Sequence, residues 1–437
     1  MGGSFFTSGP DALSTPRMPP LVYHETKARV HRALLDLYLC VASPIDGPAK
    51  ADFGDVDIVV TWNRQATLGL APPFNTVNGE GDAEFLQISR ALGAERMTVE
   101  KGTRAAHLAI PWPSHLQHLG SQGEDGGERY IQVDVRICDS LPTLQWFLFK
   151  HAHGDLWNII GSTIRPLGLT VDESALWIRV PEIENINRKR AKVKVTDDPV
   201  QVLRVLGLEW GSFWEEPFGS VEGLYEYAAT SSMFWVRPLG EDDETTTAED
   251  RRALKANDRR RMDMRPVYRG WVEDFLPRCR REKRLPEQLH TRDSVTSLIF
   301  SLFPVQGEFE ARRRDFEIEE QRNDIWKNKI KGFVAGLGDV EGEGARGQTY
   351  RGCLAKALKR IVLEGDTRYD VFPEKTMRGE DGRYVMGNVE EFIENSWRAV
   401  GEAAMRANDE AYLESLRLGK GKGKGQGGME GGNEGIG

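Results

Sequence analysis

The stretch Phe53-Gly54-Asp55-Val56-Asp57-Ile58-Val59-Val60 sets two carboxylates one residue apart at the head of an apolar run. Side chains alternate between the faces of a strand, so Asp55 and Asp57 project from one side with Val59 beyond them. Val56, Ile58 and Val60 take the other side and can enter a core. Two carboxylates on one pleated face repel each other unless something positive sits between them, and hard oxygen donors suit Mg²⁺.

A second segment, Tyr130-Ile131-Gln132-Val133-Asp134-Val135-Arg136-Ile137, has the same character. Its apolar face is Ile131, Val133, Val135 and Ile137, and Asp134 stands on the polar face. A third carboxylate on a neighbouring strand completes the donor set of a two-metal phosphoryl-transfer site, whose ions lie about 3.5–4 Å apart.

Upstream, Val30, Ala33, Leu34 and Leu37 follow a helical spacing into the apolar run Tyr38-Leu39-Cys40-Val41-Ala42-Ser43. Helix, short strand, a small residue with Ser, a gap, Asp-x-Asp and a later lone Asp: this order resembles the polymerase-β-like nucleotidyltransferase superfamily, in particular its fungal and large-phage members. The resemblance covers roughly residues 24–180. It includes Gly154-Asp155 followed by the apolar Leu156-Trp157-Asn158-Ile159-Ile160-Gly161, and Ser43 stands twelve positions before Asp55, at the family's spacing. The departure is Ala42, where the family carries Gly, whose bare backbone allows close approach to a triphosphate.

The resemblance implies an α/β (α+β) fold with a mixed sheet and flanking helices, and transfer of a nucleoside monophosphate from an NTP to an acceptor hydroxyl, releasing pyrophosphate. It implies that Asp55, Asp57 and Asp134 are the catalytic metal ligands. Asp55 and Asp57 would hold two Mg²⁺ (or Mn²⁺) ions, and Asp134 the ion that activates the acceptor. Ser43 would bind the β/γ-phosphates. The further candidate nucleotide contacts are Ala42, Gly54, Lys50, Arg136 and Asp155. Lys50 and Arg136 lie near the carboxylates in sequence, and each reads equally as a solvated surface residue. Asp155 also reads as the cap of the helix that starts at Leu156.

The 437 residues can bury a sizeable core in two or three lobes. A hydrophobic content of 39% and a charged content of 29% are those of an ordinary soluble protein. No apolar run of about 18 residues marks a membrane span. The N-terminus carries neither a myristoylation signal nor a secretory core. Cys40, Cys138, Cys279 and Cys353 form no CxxC pair, which fits a reducing, intracellular compartment, cytoplasmic or nuclear.

Residues 1–22 are rich in Gly, Ser and Pro and read as a disordered tail. The nucleotidyltransferase domain that the resemblance implies is expected over 23–155, and a second lobe, mixed then helical, over 156–240. Residues 241–250 read as a polar linker, 251–418 as a mainly helical region and 419–437 as a flexible Gly/Lys tail. Within these, strands are expected at Asp55–Trp62, Ala105–Trp112 and Leu176–Val180, with the second pairing as a hairpin to the Asp134 strand. Helices are expected at Phe85–Leu92, Leu141–Lys150 and Trp157–Ile164. Asp198-Pro199 opens another that Gly207 closes. After Asn388, the residues Val389, Phe392, Ile393, Ser396, Trp397 and Val400 mark one buried helical face.

The net charge of −9 conceals a basic segment. Arg251–Arg284 holds 13 Lys/Arg against 5 Asp/Glu. Arg259-Arg260-Arg261, with Tyr268 and Trp271 behind, could contact RNA phosphates and stack on bases. Met262, Met264, Val267, Trp271 and Phe275 read equally as a core-facing stripe that leaves the arginines solvated. His151-Ala152-His153 lacks the i, i+4 spacing of a helical zinc pair and reads as a helix C-terminal cap. Two alternatives to an enzyme remain from the sequence: a catalytically silent nucleotide- or RNA-binding module, and a protein-interaction scaffold built on the helical region.

Overall fold

The computed structural model describes residues 3–70, 81–120, 127–215, 217–236, 260, 262–338 and 344–422. The chain forms two compact units, residues 1–306 and 307–437. The fold is mixed α/β, with a five-stranded and a three-stranded sheet in the first unit and a helical second unit. No helix among the described residues is long and apolar enough to cross a membrane.

In the first unit, helix α1 (Pro20–Leu35) starts on a proline at its first position, where the missing N–H costs nothing. It feeds strand β1 (Tyr38–Ala42), which turns back antiparallel to β2 (Asp55–Asn63). After a single turn α2 (Arg64–Thr67) and helix α3 (Gly81–Leu92), β3 (Arg96–Val99), β4 (Ala105–Pro111) and β5 (Tyr130–Ile137) complete the sheet. Its order is β1-β2-β5-β4-β3. β4 and β5 pair antiparallel, as the hairpin reading expects, whereas β2 and β5 run parallel at the centre.

The alternation in sequence becomes two unlike faces. Val56, Ile58, Val60, Leu108, Ile110, Ile131, Val133 and Val135 are buried together against Val22, Val30 and Leu34 of α1 and Phe85 and Ile88 of α3. The opposite face carries Asp55, Asp57 and Val59 from β2, Gln132, Asp134 and Arg136 from β5, and His107 from β4. Helix α4 (Leu141–His151) covers one end of it, through Leu144 on Val59 and Cys138. The Ser140 hydroxyl caps α4 by accepting from the Thr143 N–H.

The other end is covered by residues 3–19, within the stretch 1–22 whose composition reads as a disordered tail. Phe6 is buried with Ala109 and Tyr130, and Met18, wholly buried, pairs with Phe53 in an isolated bridge. A second bridge joins Ser14 to Arg129. Gly3 lies so close to Gly54 that a Cβ on it would meet the Gly54 carbonyl oxygen at 2.1 Å, and its φ is +87°. Only glycine fits this approach. The correction has a plain cause: two apolar anchors and edge hydrogen bonds outweigh a turn-rich composition.

Helix α5 (Leu156–Ile164) leads to the three-stranded antiparallel sheet β6 (Leu169–Val171), β7 (Leu176–Arg179) and β8 (Lys192–Thr196), with the single turn α6 (Pro181–Glu184) between β7 and β8. Asp198 caps α7 (Pro199–Leu206) through its side chain, and Gly207 closes it in the left-handed conformation at φ 68°. The segments Pro266–Gly270, Trp271–Phe275 and Leu276–Arg281 follow one another as a helix with a π-type middle. Of the expected stripe, Met262, Trp271 and Phe275 are buried while Met264 is exposed and Val267 half-buried. Tyr268 is buried as well, so the Tyr268 and Trp271 rings are closed to base stacking.

The second unit is built on Ala345–Lys359 packed against the long helix Met386–Lys422. Leu354, Ala357 and Leu358 meet Val389, Phe392, Ile393 and Val400, the face expected after Asn388. Residues 71–80 and the linker 241–250 lie outside the described residues. The Gly/Lys tail is described only to 422, where 419–422 still belong to the helix.

If Phe6 anchors residues 3–19 as its burial indicates, Phe6→Ala lowers unfolding stability by about 3 kcal/mol, the lower end of the range for a buried aromatic. Chemical denaturation would read this as a reduced midpoint. An unshifted midpoint would show that the segment contributes nothing to the fold.

Candidate active site

Asp57 and Asp134 are direct register partners on the parallel strands β2 and β5, and Asp55 pairs with Gln132 one step along. All three carboxylates therefore share one sheet face. They differ in surroundings. Asp55 and Asp57 line a cavity of about 710 Å³ together with Gly54, Lys50, Asp155, Tyr23, Asp46 and Arg260. Asp134 is set back on the same face. Its Oδ1 accepts from His107 Nδ1 at 2.8 Å and from Gln132 Nε2 at 2.9 Å, and Gln132 also reaches Oδ2 at 3.1 Å.

Like charges and a protein-lined recess act together on β2. Asp57 opens to solvent through the cavity, yet the protein around it removes much of the bulk water that would stabilise its charge. That burial, then the neighbouring Asp55 and Asp134, push its carboxyl up to about 7. Burial and Asp134 also raise Asp55, against a smaller opposing pull from Lys50 and from the Gly3 N–H that its carboxylate accepts.

The cavity has a second acidic group that the sequence reading passed over. Asp46, in the β1–β2 loop, accepts from the Tyr23 hydroxyl at 3.0 and 3.1 Å and pairs with Lys27 at 3.2 Å and Lys50 at 3.7 Å. Tyr23 stacks on Phe53 with ring centroids 3.7 Å apart. Burial and then Asp46 hold its phenol well above its ordinary range. Across the cavity, Asp155 receives Arg265 Nη1 at 2.6 Å and Asn158 Nδ2 at 3.2 Å. It stands at the cap position of α5 without a side-chain cap bond. Arg260 and Arg265 bring the basic segment to the cavity wall; Arg259 and Arg261 lie outside the described residues.

Among the sequence-derived candidates, the cavity thus gathers Asp55, Asp57, Gly54, Lys50 and Asp155, while Ala42, Ser43, Asp134 and Arg136 are not in its wall. Ala42 packs against Val59, Cys138 and Leu144. Its backbone is outside the left-handed region, so the freedom of glycine is not needed there. The Ser43 hydroxyl shares a 2.9 Å hydrogen bond with His31 Nε2 on α1. Arg136 lays its guanidinium over Phe147 at 5.2 Å. His151 pairs with Glu173 at 3.0 Å. His153 is fully buried at φ 59°, its Nε2 2.7 Å from the Phe213 carbonyl, and burial lowers its pKa.

The donor set fits a hard divalent cation. Asp55 and Asp57 supply oxygen ligands that repel each other and open to one cavity, and Mg²⁺ is commonly held by one or two carboxylates with phosphates and water completing its shell. Among the described residues no group of three or more His, Cys, Asp or Glu forms a ready-made cage, and Asp134 is engaged elsewhere. The residues sequence reasoning missed are His107, Gln132 and Asp46. The first two were open to discovery, because alternation along β4 and β5 puts both on the Asp134 face.

No family model matches the chain, and no curated protein matches it.

Asp57 carries a pH signature. Its folded pKa lies above its unfolded value, so the folded chain binds the extra proton and stability falls as pH rises from about 4 through about 7. Asp57→Asn removes that loss. The variant should melt with wild type near pH 4 and above it at pH 8, and Mg²⁺ at pH 8 should raise the wild-type midpoint more than the variant's. Thermal melts that coincide from pH 4 to pH 8 would contradict the assignment.

Proposed function

We propose that this chain is a metal-dependent nucleotidyltransferase that moves a nucleoside monophosphate from an NTP to an acceptor hydroxyl and releases pyrophosphate. The observation that carries the reading is the juxtaposition of Asp55 and Asp57 in one cavity with Asp134 register-paired beside them. The order of elements that resembles the polymerase-β-like superfamily supports it.

In this reading Asp55 and Asp57 hold Mg²⁺ or Mn²⁺, which when bound neutralises phosphate charge and lowers the pKa of the acceptor hydroxyl. Lys50, Arg260 and Arg265 add fixed positive charge at the cavity wall. His107 and Gln132 hold the Asp134 carboxylate facing along the sheet, so its position is set before any ligand arrives. Catalysis then rests on positioning and charge neutralisation. The basic segment, through Arg260 and Arg265, is the part that would meet an RNA acceptor. The four unpaired cysteines accord with an intracellular setting.

A second reading is a silent nucleotide- or RNA-binding module. It is favoured by one observation: the Ser43 hydroxyl is bound to His31 and is not part of the cavity wall.

Incubation with each labelled NTP, Mg²⁺ or Mn²⁺ and total RNA separates the two. The transferase reading expects label transfer with pyrophosphate release, abolished in Asp57→Asn. His107→Ala should lower the rate about 10–100-fold, the usual cost of losing a group that orients a ligand. Salt-dependent RNA binding with no turnover from any NTP would establish the silent module instead.

A further inference from the structure

The first unit holds a second cavity, of about 330 Å³, walled by parts of α4, α5, β6 and β8 and by the turn after α6. Lys150, Arg165, Arg188, Lys189 and Lys192 line it, with the buried Trp157 beside them. Glu184 is the one carboxylate in that wall among the described residues. It is already held between Arg179 at 3.0 Å and Arg292 at 2.8 Å, so this part-buried cluster is itself cationic by one charge. Arg179 is 4% exposed and donates to the Leu169 carbonyl at 2.6 Å.

Two outer carboxylates meet part of the remaining charge. Asp172 pairs with Lys192 at 2.7 Å, and Glu173 lies 3.7 Å from Lys150. Arg188 and Lys189 are exposed, and among the described residues neither side chain has an ion pair or hydrogen bond. The turn that presents them is fixed, because the Asn187 side chain accepts the N–H groups of Lys189 and Arg190 at 3.1 Å each. A chain with net charge −9 has thus concentrated cations around one small volume, and Arg188 and Lys189 at its rim have charge to offer an anion.

We propose that this cavity binds a small, multiply charged phosphate compound, with Arg188 and Lys189 closing on its phosphates at the rim. Its volume is at the lower end of small-molecule sites. A nucleic acid strand requires an extended groove with aromatic faces on offer, whereas Trp157 is buried and its indole N–H is spent on the Phe149 carbonyl at 2.7 Å. The ligand chemistry is an oligophosphate, inorganic or carried on an organic group. Asn158 borders both this cavity and the carboxylate cavity, so the two sites adjoin without sharing their charged residues.

Calorimetric titration of the full chain in EDTA tests this with tripolyphosphate and ATP as separate probes and a short single-stranded RNA as competitor. One-site binding is expected, weakened at least tenfold in Arg188→Ala/Lys189→Ala and kept in Asp57→Asn. The charge-preserving Arg188→Lys/Lys189→Arg chain should restore it, which separates lost charge from misfolding. Tighter binding of tripolyphosphate marks an inorganic ligand and tighter binding of ATP an organic one, and either supports the site. Binding that the double alanine variant leaves unchanged, no binding of either probe, or RNA that outcompetes both would overturn it. The chelator removes Mg²⁺, so failure here leaves the transferase reading standing, and absent turnover leaves this site standing.

Discussion

Repulsion between carboxylates on one face of a central β-sheet is the constraint around which the first unit is arranged. Asp55 and Asp57 follow each other on the same side of β2, and the parallel register brings Asp134 alongside. Such a face cannot be buried in a core, and it cannot be left flat to water without exposing the sheet. The fold resolves this by capping both ends of the face with apolar groups, residues around Phe6 at one and α4 at the other, leaving the acidic strip in a recess between them. The opposite face, apolar throughout, supplies the burial that offsets the electrostatic cost.

Alternation made much of this legible from the sequence. The two faces of β2 and β5, the hairpin of β4 with β5, and the capped ends of α7 follow from residue-by-residue patterns that act locally. What escaped was non-local. Nothing in Gly2-Gly3-Ser4-Phe5-Phe6 announces that Phe6 will meet Tyr130, more than a hundred residues away, or that Gly3 will lie against Gly54. Strand β8 escaped for another reason. Lys192-Val193-Lys194-Val195-Thr196 alternates as a strand should, but the segment is short and two of its positions are lysines, so only its pairing with β7 fixes it.

The site divides in the same way. That Asp55, Asp57 and Asp134 share a face was readable, because parity is a property of each strand alone. That Asp134 is turned to His107 and Gln132 was readable only in part, since it needs the register of β4 on β5. The Asp46 hub was not readable at all. It depends on a loop closing over Tyr23, Lys27 and Lys50, and these come together only in the folded chain. The basic segment shows the reverse case: composition flagged it, but packing divided it into buried rings and a few arginines at the cavity.

The fixed partners of Asp134 bear on how the remaining charge behaves. A carboxylate that accepts from both an imidazole and an amide is well satisfied, and it has no comparable need of a further cation. Asp55 and Asp57 lack such partners in proportion to their crowding. The sheet therefore concentrates its unmet demand for positive charge on β2, at the side chains that open to the cavity. With its carboxyl pushed up to about 7, Asp57 meets part of that demand by holding a proton. A divalent cation bound there would compete for the same oxygen and bring twice the charge, so its occupancy of such a recess would rise as pH rises through that value. The frustration that costs the fold stability is thus the same property that would make the recess a selective place for a hard metal ion.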